Sequence, residues 1–199
     1  MLDGRVIVII GDPVGLADHL RALGATVYAS FDLADAASAS IDVVVHAPAV
    51  LPEAQSIADT SDDDWDARGE AQLRAGLHSC QAGFAHLRGR GGGIILVTPT
   101  AGLVGEAGFV PIATASAGLR ALAKAAARQW GEHGVTVNCV APSLALLGAQ
   151  VPTPVNPPAL GREATVEDLA RAIALLASDA AGSITGVTIP VDGGVVMLP

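Results

Sequence analysis

The sequence predicts a single α/β domain, a doubly wound parallel sheet of about six strands flanked by helices. Three observations predict it. Short apolar runs at residues 5–10 (RVIVII), 94–97 (IILV) and 135–140 (VTVNCV) are of the length and texture of strands buried on both faces. Between the last two lies an Ala-rich block, 113–130, without an internal proline and with good helix propensity. Glycine and proline punctuate the boundaries, so strand, helix and strand follow one another as a parallel crossover unit.

The first strand, 5–10, stops at Gly11-Asp12-Pro13, and a short helix leads to Gly24 and a second strand at 26–30. Only 11 residues separate Ser30 from Asp42, where the third strand (42–45) begins. A single crossover consumes about that many. Within that segment Asp32 reads as a helix cap or as an acid placed for a ribose. His46 ends the third strand, on the side of such sheets where ligands bind, and is expected to be a hydrogen-bonded structural histidine.

Thr60, Ser61 and the acidic run 62–64 open a helix that continues to about residue 87, with carboxylates in the turn that the helix dipole favours. Gly69, Gly76 and Gly83 recur in it every seven residues. Glycine costs about 1 kcal/mol at each helix-interior position, so a stripe of three implies a neighbour close to the backbone. A turn-rich segment (Pro99, Gly102, Gly105, Gly108, Pro111) joins the strand at 94–97 to the Ala-rich helix. Gly131 and Gly134 end that helix, and the strand at 135–140 is followed by a Pro-rich loop over 144–160. Thr165, Glu167 and Asp168 announce the last helix through a capping pattern, and 187–191 is the last strand.

Composition excludes several classes. The chain has 199 residues, enough for one domain with a substantial core, and apolar residues make up 51% of it. Net charge is −9 and the 11 basic residues form no cluster, so nucleic acid is not an expected partner. Cys80 and Cys139 have no metal-ligand spacing and read as buried free thiols, and no metal is expected. The N-terminal apolar run is too short for a signal peptide, and the charge-free run 139–161 holds five prolines. No membrane span is expected, and the compartment expected is the cytoplasm.

The stretch 92–143, with AGLVG followed by RQWGEHGVTVNCVAPS, resembles the catalytic half of the short-chain dehydrogenase/reductase family, and 175–194 (LLASDAAGSITGVTIPVDGG) extends the likeness. The resemblance implies a Rossmann-like fold, here with one strand and one helix fewer than the family between Ser30 and Asp42. In the family a Ser, a Tyr and Lys spaced YxxxK, and an Asn carry the proton chemistry. Alignment on Thr98-Pro99-Thr100-Ala101-Gly102 sets these positions at Pro99, Ile112, Ser116 and Gln72. The chain has one tyrosine, Tyr28, and one lysine, Lys124, so no YxxxK exists.

The family's phosphate loop, TGxxxGxG, corresponds to Gly11, Asp12, Pro13, Gly15 and Ala17. Proline removes an amide donor, and Asp12 puts negative charge where a phosphate would lie. These positions imply no catalytic residues and no bound cofactor in this chain. The expectation is therefore a non-catalytic pseudoenzyme subunit that supports an intact short-chain dehydrogenase/reductase carrying NAD(P). The complex would be a heterotetrameric oxidoreductase, with hydroxyacyl or ketoacyl dehydrogenase as one version. Its interface is expected on Gly69, Gly76 and Gly83 and on Ala113, Ala117 and Ala121, because the family pairs these two helices between subunits. Two alternatives stay open. One is changed, non-redox chemistry using Thr98, Thr100, Ser116, Gln72 or His46, and the other is an NAD(P)-dependent oxidoreductase.

Overall fold

The computed structural model describes residues 1–29, 40–48, 53–151 and 156–197. Strands β1 (Val6–Ile10), β2 (Thr26–Ala29), β3 (Val43–His46), β4 (Gly92–Val97), β5 (Val135–Pro142) and β6 (Thr188–Val191) form one sheet in the order β2-β1-β3-β4-β5-β6. Every pairing is parallel. The six strands expected are thus the six strands among the described residues. Asp32, and the helix expected to be missing beside it, lie outside them.

Helices α1 (Leu16–Ala22) and α6 (Val166–Leu176) cover one face of the sheet, where Leu16, Leu20, Leu169 and Ile173 meet Ile7, Ile9 and Val45. On the other face lie α3 (Ala71–Leu87) and α5 (Val110–Trp130), and Cys80, Leu87, Leu119 and Ala123 close over Ile94, Leu96 and Val137. Phe84 stacks on Trp130 with ring centroids 4.5 Å apart, tying the ends of the two helices together. A short α2 (Asp62–Trp65) leads through a wide turn into α3, and α4 (Ala101–Val104) bridges β4 to α5.

The helix starts follow the local chemistry. The Ser61 hydroxyl accepts the Asp64 amide at 3.1 Å and opens α2. At α6 the Thr165 hydroxyl accepts the Asp168 amide while the Asp168 carboxylate accepts the Thr165 amide at 2.9 Å, a complete capping box. α5 begins three residues before the Ala-rich block, because Pro111 suits a first helical turn whose amides have no intrahelical partner.

The glycine stripe has a different use from the one expected. A Cβ on Gly69 would meet Pro111, on Gly76 the δ-carbons of Leu119, and on Gly83 the side chains of Ile94 and Val44. The close neighbour is the chain's own α5 and its own sheet, so these glycines are not a seat for a partner helix. The reason is compact geometry: α3 lies in the angle between α5 and the sheet, and its backbone must approach both. Ala113 likewise packs against the chain's own cluster of Phe109, Ile112 and Leu144, whereas Ala121 is exposed.

Both cysteines are fully buried and free. Burial pushes the Cys80 thiol up to about 12 and the Cys139 thiol up to about 11, so neither is a thiolate near neutral pH. Among the described residues no helix is long and apolar enough to cross a membrane, and no group of three or more acidic, His or Cys side chains is arranged for a metal.

Candidate active site

In an open parallel sheet, ligands lie beyond the carboxyl ends of the strands. Here Thr100, Ser143 and Asp192 follow the carboxyl ends of β4, β5 and β6, and these residues line a cleft of about 310 Å³. Its walls are mainly apolar, with Leu144 and Val151 from the segment after β5 and Val195 and Val196 after β6. Pro157 and Pro158 of the Pro-rich segment line it too, as does Val104 at the end of α4.

Local hydrogen bonds hold this rim. The Thr100 amide donates to the Pro142 carbonyl at 2.8 Å, continuing the β4–β5 ladder past both strands. The Ser143 hydroxyl accepts the Leu146 amide at 3.2 Å. Asp192 is buried, and its carboxylate accepts the amides of Gly194 and Val196, both at 2.9 Å, which folds the C-terminal segment against the cleft. Asn138, also buried, donates to the Ile184 carbonyl at 2.8 Å and accepts the Val187 amide at 3.2 Å. That pair brings the chain into β6 and so fixes where Asp192 stands.

Of the residues singled out in the sequence, the structure brings Thr100 alone to the cleft wall. Ile112 is buried among Ala101, Phe109 and Leu144, and Ser116 is buried beneath Gly102. A Cβ on Gly102 would lie 2.6 Å from that of Ser116 and 2.9 Å from the Ala113 carbonyl, so α4 sits directly on α5 there. Pro99 is buried at the end of β4, and Gln72 is half-buried in the first turn of α3. Thr98 is fully buried, and its hydroxyl has no hydrogen-bond partner.

His46 is buried and shares a 3.0 Å hydrogen bond, through Nδ1, with the hydroxyl of Ser79 on α3. Burial lowers it to about 4, so it is neutral at physiological pH. It is the hydrogen-bonded structural histidine that its position in the sequence suggested.

The loop after β1 can be tested against the dinucleotide that the family resemblance implies. Gly11 and Gly15 adopt left-handed φ angles of 77° and 72° and turn the chain tightly into α1. The Asp12 carboxylate then folds onto α1 and accepts the amides of Leu16 at 2.6 Å and Ala17 at 3.0 Å. Those amides are the ones a pyrophosphate would need, and Pro13 offers none. The residues of this loop do not fit a dinucleotide's phosphates.

Sequence reasoning missed Glu106, which stands in the cleft wall between the left-handed glycines Gly105 and Gly108. Its signal is an acid inside a glycine-punctuated turn at the carboxyl end of a strand. Desolvation raises its carboxyl above the ordinary glutamate value.

The comparisons with known proteins match this architecture. A family model described as enoyl-(acyl carrier protein) reductase matches residues 24–196. A 3-oxoacyl-[acyl-carrier-protein] reductase of Pseudomonas aeruginosa is 38% identical over 125 residues, covering 55% of this chain and 47% of that protein. The protein of the same name from Salmonella typhimurium is 35% identical over 152 residues, 69% of this chain and 59% of its own length. That from Staphylococcus aureus is 31% identical over 193 residues, covering 91% of this chain and 74% of the relative. The chain therefore spans about half the length of the first of these relatives and somewhat more of the second.

These findings correct the expectation of a non-catalytic supporting subunit. The relatives are named as reductases, and none of the three names describes a subunit that supports another enzyme. A parallel sheet with helices on both faces and a family match over residues 24–196 lead to one assignment: the chain belongs to the short-chain dehydrogenase/reductase family.

Proposed function

We propose that the chain is an oxidoreductase-family enzyme that takes a 3-oxoacyl compound into the cleft beyond β4, β5 and β6 and acts on its carbonyl group. The observation that carries this reading is the cleft itself: a mainly apolar lining around about 310 Å³, with Thr100, Ser143 and Glu106 among its polar residues. The names of the relatives, 3-oxoacyl reductases, supply the substrate class. Thr100 and Ser143 are hydroxyl donors suited to a carbonyl oxygen, and the valines and prolines suit methylenes. The chemistry a nicotinamide would supply to such a reaction is hydride donation, and no residue of the Asp12 loop is assigned to hold it.

Calorimetric titration with 3-oxoacyl pantetheine thioesters of increasing chain length tests this. Each methylene buried in the cleft contributes about 0.8 kcal/mol, so affinity should rise about fourfold per added carbon until the cleft is filled. Val196→Arg, which puts a charged chain on the apolar wall, should abolish that dependence. Conversion of the 3-oxo group is followed by mass spectrometry with NADPH or NADH at millimolar concentration, so that a weakly held donor still registers. Absence of acyl binding, or binding that ignores chain length, refutes the reading.

A further inference from the structure

We propose that Asp192 is a positioning residue for acyl-chain selection: with Gly193 and Gly194 it clasps the C-terminal segment to residues 158–162, and this clasp fixes the wall that reads chain length. The proposal rests on the acyl reading of the cleft and adds the residues that hold its wall in place. Two segments line the cleft without belonging to a helix or strand. One supplies Pro157 and Pro158, and the other, beyond β6, supplies Val195 and Val196. Such segments have no ladder or helical bonds of their own, so a fixed wall needs other bonds to hold it.

Asp192 supplies them on one side. It is 4% exposed, directly after β6, and one carboxylate oxygen accepts the Gly194 amide while the other accepts the Val196 amide, each at 2.9 Å. These are charge-assisted bonds, the stronger kind, and they tie the valine segment to the end of the sheet. The glycines join it to the other side. Gly193 and Gly194 adopt left-handed φ angles of 73° and 84°, and the Gly193 carbonyl accepts the Leu160 amide at 3.0 Å. A Cβ on Gly193 would lie 2.6 Å from the Arg162 carbonyl oxygen and 3.1 Å from the Cβ of Pro158, and one on Gly194 would lie 3.0 Å from the Cβ of Ala159. The two segments therefore meet backbone to backbone, where a side chain would force them apart. Residues 158–162 are anchored in turn, because the Arg162 guanidinium donates to the Asp168 carboxylate at 2.7 and 3.2 Å, and Asp168 belongs to the capping box of α6. The wall is thus tied at one end to β6 and at the other to α6. A methylene gains affinity only where apolar surface stays in place to cover it, so the clasp decides how far along the chain that gain continues.

The test uses 3-oxoacyl pantetheine thioesters of increasing chain length, titrated calorimetrically into the full chain. In wild type affinity should rise about fourfold per added carbon. Asp192→Ala and Gly193→Ala should each reduce that gain to less than about twofold, while the shortest compound binds with nearly wild-type affinity. The Val196 amide, which the carboxylate protects, should exchange its hydrogen faster in Asp192→Ala. Gly76→Ala, which strains the contact with Leu119 far from the cleft, separates this role from a general loss of stability and should keep the wild-type gain per carbon. A wild-type gain in either Asp192→Ala or Gly193→Ala, or an equal flattening in Gly76→Ala, overturns the proposal and leaves the acyl cleft intact. A wild type that shows no dependence on chain length overturns both. Thermal melts confirm that each variant is folded at the temperature of the titration.

Discussion

The carboxylate of Asp12 and the amide of Leu16 lie 2.6 Å apart in a hydrogen bond that closes the first loop onto α1. Together with the bond to Ala17 it satisfies two of the helix's unpaired donors from within the chain. Removing it by Asp12→Ala is expected to cost about 1 kcal/mol, the usual loss for a helix cap, read by urea denaturation. Because those amides are occupied, wild type is expected to bind NADPH or NADH no more tightly than about 100 μM, roughly −5.5 kcal/mol. Nicotinamide fluorescence decides this, and saturation at low micromolar concentration would show that the loop rearranges to admit phosphate.

The His46–Ser79 pair predicts a pH dependence. Folded His46 titrates at about 4, against an ordinary value of 6.5. Below pH 6.5 the unfolded chain takes up a proton that the folded chain refuses, so folding stability falls as pH drops from 6.5 towards 4 and is flat with respect to this group above 6.5. The full effect is about 3 kcal/mol at most, from a shift of roughly two and a half units. Denaturation at pH 7.5, 5.5 and 4.5 measures it. His46→Gln should remove most of that slope, and a variant with the wild-type slope would assign the loss to other groups.

Gly76 faces Leu119 of α5, and a Cβ on it would come within 2.3 Å of a Leu119 methyl. Gly76→Leu is therefore expected to destabilise the isolated chain by about 1–3 kcal/mol through overpacking. Pairing a smaller change, Gly76→Ala, with Leu119→Ala should recover part of the loss, because the methyl in the way is gone. A double-mutant cycle gives the coupling, and strict additivity would mean that the two residues do not meet.

Thr98 carries a buried hydroxyl without a partner at the end of β4, where its amide donates to the Val140 carbonyl at 2.9 Å. Thr98→Val keeps the shape and the ladder while removing the unpaired group. The expected result is unchanged or increased stability, by up to about 1 kcal/mol, since a buried polar atom without a bond carries a desolvation cost. A loss of more than that in a thermal melt would show that the hydroxyl has a partner after all.

How much was legible in the sequence follows from which forces are local. The apolar runs, the capping pattern at Thr165 and the glycine and proline boundaries located all six described strands and the long helices to within a few residues, because periodicity and caps act over a handful of neighbours. The burial of both cysteines and the structural use of His46 were equally readable. The glycine stripe of α3 was visible as a close approach, but its neighbour was not. Packing between α3 and α5 joins residues about forty positions apart, and it filled the space reserved for a partner with Pro111 and Leu119. The same limit hid the cleft. Thr100, Glu106, Ser143 and Val196 become neighbours only when three parallel strands end together. The elements and their order follow from local patterns along the chain, whereas what each surface meets depends on contacts between distant segments that no local pattern encodes.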